Sequence, residues 1–91
     1  VDGFTPIFAA TMQGYTNIID LLLPYESDVC TSDKYGKSLL FIASSHNHPE
    51  VVDYLIAHGA DIQQTDNYGV SPLWNAAANG HLDMVKLLVK H

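Results

Sequence analysis

One phrase recurs along this chain at a fixed distance, and that recurrence constrains the fold more than any other feature. Residues 33–56 read DKYGKSLLFIASSHNHPEVVDYLI, and residues 66–89 read DNYGVSPLWNAAANGHLDMVKLLV. Gly3, Gly36 and Gly69 keep the same 33-residue spacing, as do Thr5, Ser38 and Ser71. Phe8, Phe41 and Trp74 follow in step, then Ala10, Ala43 and Ala76. Further on, Ile18, Val51 and Met84 align, then Ile19, Val52 and Val85, then Leu22, Leu55 and Leu88. Asp28 matches Asp61 and Asp33 matches Asp66, and no insertion or deletion breaks the phase. A period of this length marks a repeat architecture, in which a unit that cannot bury its own apolar face stacks on its neighbours. About three units are the practical minimum for such a stack.

Each unit carries its own local signals. Thr5 and Ser71 read as helix N-caps, and Pro6 and Pro72 follow at the first helical position, where a missing N–H costs nothing. The short helix that follows ends near Gly14 and Gly80, residues that readily take the left-handed conformation of a helix stop. Asn47 holds that place in the middle unit and is the next most tolerant residue there. A second helix then places Asn17, Asp20 and Pro24, or Glu50, Asp53 and Ala57, or Asp83, Lys86 and Lys90 along one stripe. The residues between them are almost all aliphatic, which predicts one wet stripe and a wide buried face. Pro49 begins that helix in the middle unit. Turn-rich stretches then lead to Asp33 and Asp66.

Composition removes several function classes. Ten carboxylates oppose four lysines and give a formal charge of −6. That balance argues against nucleic acid, whose binding needs basic side chains to displace counterions, and against anionic membrane. No apolar run approaches the roughly 18 residues of a membrane span. Cys30 is the only cysteine, so no intrachain disulfide forms, which suits a reducing, intracellular setting in cytoplasm or nucleus.

At this point the motifs resemble a known family. TPIFAA (5–10), SLLFIA (38–43) and SPLWNA (71–76) are similar to the T-P-L-H-x-A motif of ankyrin repeats, and HGADI (58–62) and NGHLDMVKLLV (79–89) are close to the rest of that pattern. The resemblance covers the whole chain. It implies an all-α solenoid of stacked antiparallel helix pairs joined by β-turn or hairpin loops. One domain, 1–91, would hold units at about 1–32, 33–65 and 66–91. Departures are visible. Phe8, Phe41 and Trp74 replace the motif histidine, and Leu39 replaces the proline, which should loosen the middle helix start. Glu26 stands where Gly59 stands one unit later, so Pro24 is expected to end the first unit's second helix early. With no polar capping unit at either end, both end faces should expose apolar surface.

The resemblance further implies a protein-binding module without catalytic residues, metal or cofactor, whose partner is another protein. Carried over by position, the turn tips are Phe4, Lys34, Tyr35, Lys37, Asn67, Tyr68 and Val70. The concave face of the first helices adds Met12, Gln13, Ser45, His46, Ala78 and Asn79. Tyr35 and Tyr68 are the preferred anchors, since tyrosine offers rigid area with a polar end. The alternative is that they pack along the row of turns. The aromatic row Phe8, Phe41 and Trp74 reads first as core.

Other chemistry finds less support. His48 and His81 occupy equivalent places, as do His58 and His91, but no spacing supplies the four ligands of structural zinc. YGKS (35–38) resembles the tail of a phosphate loop, yet Thr31 stands where its first glycine belongs. No nucleophile, base and orienting group fall into a pocket-forming pattern. A second expectation remains beside partner binding: uncapped ends could stack head to tail, either within a longer array or between copies.

Overall fold

The computed structural model describes residues 5–26 and 28–91. Its six helices are α1 (Pro6–Gln13), α2 (Thr16–Glu26), α3 (Leu39–Ser45), α4 (Pro49–Ala57), α5 (Pro72–Ala78) and α6 (Leu82–Lys90). Short links at 14–15, 46–48 and 79–81 fold α1 onto α2, α3 onto α4, and α5 onto α6. The first helices of the pairs stack in a row, α1 on α3 and α3 on α5, while α2 packs on α4. Among the described residues extended pairing is confined to one antiparallel bridge, Ser32 with Ser38.

The helix boundaries follow from local chemistry. Ser38 and Ser71 each accept a bond at 3.1 Å from a backbone N–H three residues on, that of Phe41 and of Trp74. This cap starts α3 at Leu39, in register with Pro6 and Pro72, so the missing proline does not shift the helix. Thr5 departs from expectation. Its backbone is extended, as at a cap, but its side chain makes no capping bond. Its γ-methyl restricts χ1, and the buried hydroxyl has no partner among the described residues. The three stops behave as read: Gly14 has φ 79°, Gly80 72° and Asn47 58°.

Pro24 also departs from expectation, because α2 runs through it to Glu26. Proline removes one bond, to the Asp20 carbonyl, and only two residues follow it in α2, so little helix depends on the missing bond. Asp20 and Pro24 both lie on the exposed stripe, so water can reach the freed carbonyl. The helix therefore tolerates here a residue that would cost it more in mid-helix.

Between the layers lie Ile7, Ile19, Leu39, Leu40, Val51, Val52, Leu55 and Met84, all at most 1% exposed. Each contributes about 1.5–3 kcal/mol relative to an exposed side chain. Thr11 and Ser44 are buried among them, and each hydroxyl donates to the carbonyl four residues back, Ile7 and Leu40, at 2.7 Å. The stripe on α2, α4 and α6 is exposed at all nine positions named for it. Phe8 and Phe41 join the core, but Trp74 is 62% exposed. In the two earlier units the pair that follows covers this position, and α5 and α6 are the last pair described.

Candidate interaction surface

Among the described residues two turn tips stand out, and an aspartate builds each. The Asp33 N–H donates to the Lys37 carbonyl at 3.0 Å, and its Oδ1 accepts the N–H groups of Tyr35 and Lys37 at 2.9 Å. Gly36, at φ 78°, closes the turn by donating to the Asp33 carbonyl. Asp66 repeats the pattern with Val70 and Tyr68, and Gly69 sits at φ 80°. Bonds to an ionised carboxylate are stronger than neutral ones, so the aspartates fix the turns and leave the tyrosines between them outside. Tyr35 is 49% exposed and Tyr68 83% exposed. The Nζ atoms of Lys34 and Lys37 stand 5.1 and 5.8 Å from the Tyr35 ring centre.

The two tips are joined to each other. The Asn67 N–H donates to the Tyr35 carbonyl at 2.9 Å, and its side-chain amide donates to the Lys34 carbonyl at 3.0 Å. Gly36 makes this approach feasible, since a Cβ there would come within 2.7 Å of the Asn67 backbone nitrogen. The period alone could not reveal this joint, because it aligns Asn67 with Lys34 without saying that one reaches the other.

The helical part of the surface behaves similarly. Ser45 donates to the Asn75 side-chain oxygen at 2.8 Å, and Asn79 donates to the same oxygen at 3.1 Å. Asn75 is thus the hub between two expected residues and was not itself among them. Gln13, His46, Ala78 and Asn79 are exposed, whereas Met12, Ser45, Lys37 and Val70 are half-buried. Lys34 and Asn67 are exposed at the tips, and Phe4 lies outside the described residues. No residue of α1, α3 or α5 is charged, and Asp20, Glu50, Asp53 and Asp83 lie on the second helices.

The histidines take part in the scaffold. His48 Nε2 donates to the Met12 carbonyl at 2.8 Å, tying the second pair to the first. His46 and His58 each donate from Nδ1 to the carbonyl four residues back, at 3.0 and 2.8 Å. Among the described residues no three His, Cys, Asp or Glu side chains are placed to hold a metal ion. No helix among them is long and apolar enough to cross a membrane. Among the described residues Tyr54 is the one group clearly displaced in its titration. Burial, then its bond to Asp20 at 2.7 Å, then that carboxylate's charge push the phenol up to about 12.

With this geometry described, comparison with known families becomes informative. A family profile described as ankyrin repeats in three copies matches residues 1–66, and a second, ankyrin repeats in many copies, matches residues 55–91. The chain belongs to the ankyrin-repeat family, whose members are in general protein–protein interaction modules and typically non-enzymatic scaffolds. A search of curated proteins gave no match.

Proposed function

We propose that this chain binds a partner protein through its turn tips and the concave row of first helices, and that it does so without catalysis. The observation that carries this reading is the exposure of two tyrosines on turns already fixed by aspartate. Such residues lose little freedom on binding, and large rigid aromatics are the side chains that most often dominate an interface. The uncharged helices behind them offer polar amides without the desolvation cost of buried charge.

The test uses a protein captured by the immobilised chain and measures its affinity for variants. Tyr35→Ser with Tyr68→Ser should weaken binding at least about tenfold, which is 1.4 kcal/mol, without lowering the melting temperature. Glu50→Ser on the opposite stripe should change neither. Unchanged affinity in the tyrosine variant removes the tips from the proposal.

A second reading, an array segment whose ends take another helix pair, is favoured by the exposure of Trp74 where Phe8 and Phe41 are buried.

A further inference from the structure

The two turn tips share one frame and differ in chemistry. The 33-residue period aligns Lys34 with Asn67, Tyr35 with Tyr68 and Lys37 with Val70. Asp33 and Asp66 build the same turn beneath both. What changes is the pair of side chains beside each tyrosine: two lysines at Tyr35, an amide and an aliphatic group at Tyr68.

Lys37 is half-buried where the tip meets the first helices, and its Nζ stands 5.8 Å from the ring centres of both Tyr35 and Phe41. Both separations fall within the roughly 6 Å at which an aromatic face attracts a cation. Two rings therefore hold the ammonium in position. Among the described residues it makes no ion pair, and Asp33 Oδ1 is engaged by the Tyr35 and Lys37 N–H groups instead. A cation drawn partly out of water without a counter-charge gains when a carboxylate reaches it. Because it is already held, it also loses little freedom in the contact.

The other charges decide where an acidic segment can lie. The formal charge is −6, and Asp20, Glu50, Asp53 and Asp83 line the exposed stripe of the second helices. That stripe repels a carboxylate, while α1, α3 and α5 carry no charge to do so. At the other tip Asn67 is already bonded to the Lys34 carbonyl, which leaves exposed Tyr68 and half-buried Val70 to offer apolar area.

We propose that the partner protein lays an acidic segment across the two tips, a carboxylate side chain meeting Lys37 beside Tyr35 and an apolar side chain meeting Tyr68 and Val70. This rests on the tip-binding reading above and names the chemistry of the partner.

The probe is a library of random peptides displayed on phage and selected on the immobilised chain. Selected peptides should be enriched in Asp or Glu together with an aromatic or aliphatic residue. One of them, made synthetically, should bind Lys37→Gln at least about fivefold more weakly than the intact chain. Lys37→Arg keeps the charge and should keep most of the affinity, and Lys86→Gln on the α6 stripe should leave it unchanged. Replacing the peptide's acidic residue by its amide should weaken binding to the intact chain by a similar factor and leave binding to Lys37→Gln as it was. That non-additivity marks a direct pair, and the peptide's own substitution reads it without altering the fold. A library that yields no binder overturns the proposal, as do peptides without acidic enrichment and acidic peptides indifferent to Lys37→Gln. Tyr35→Ser with Tyr68→Ser separates the two readings. Peptides that lose affinity for this variant but ignore Lys37 leave the tips as the site and remove only the acidic chemistry. Peptides indifferent to both remove the tips as well.

Discussion

Gly36 and Gly14 are the residues at which the smallest change has the largest consequence. Both combine positive φ with a neighbour's atoms where a Cβ would stand. Gly14 would meet His48 Nδ1 at 2.6 Å and Gly36 would meet Asn67. Left-handed backbone alone costs a non-glycine residue about 1–2 kcal/mol, and the clash adds to it. Gly36→Ala should therefore destabilise by more than about 1 kcal/mol in chemical denaturation. Asn47→Gly, at φ 58° with the strain removed, should be neutral or slightly stabilising. Tyr54 gives a pH signature. Its folded value, about 12, lies above the ordinary 10, so its contribution is intact below pH 10 and disappears as pH rises towards 12. Tyr54→Phe should lose less stability across that window than the intact chain, as thermal melts at pH 9 and pH 11.5 would read.

At the scale of single helices the caps separate two residues that occupy the same register. Ser71→Ala removes a bond that the structure contains and should cost about 1 kcal/mol. Thr5→Ala removes no such bond, so thermal melts should show a smaller loss. Pro24→Ala restores an N–H within α2 and should raise the melting temperature. These elements also show what the sequence could convey. Helix starts, stops and the wet stripe were legible because each depends on a few adjacent residues. The course of α2 past Pro24 was not, because a proline's cost depends on how near the helix end lies, and tertiary packing settles that end. The hydroxyl of Thr5 was not legible either, since a cap motif specifies a residue type but not a rotamer.

For the whole molecule, stacking does most of the work, and the 33-residue period foretold it. Which face each position occupies was legible wherever the three units agree. Trp74 read as core because an aromatic row at repeat spacing usually is, and its place in the last pair described leaves it exposed where Phe8 and Phe41 are buried. The binding surface was legible at the tips, whose chemistry is local. The links between units, Asn67 to Lys34 and Tyr35, His48 to Met12, and Ser45 to Asn75, were hidden, because alignment relates equivalent positions rather than touching ones. Leu40→Ala, in the middle of the stack, should cost about 2–5 kcal/mol and destabilise the whole chain in one transition.

The Asn67 joint gives the tips a common frame. Because main-chain atoms of one turn hold the next, Tyr35 and Tyr68 cannot drift apart independently. Their separation acts as a ruler, and a partner is measured against it. A ligand with two side chains at the matching interval gains both contacts for the entropic cost of one placement, whereas one with a mismatched interval must give up a contact. Discrimination between partners can thus come from spacing, even where the individual contacts are equally good.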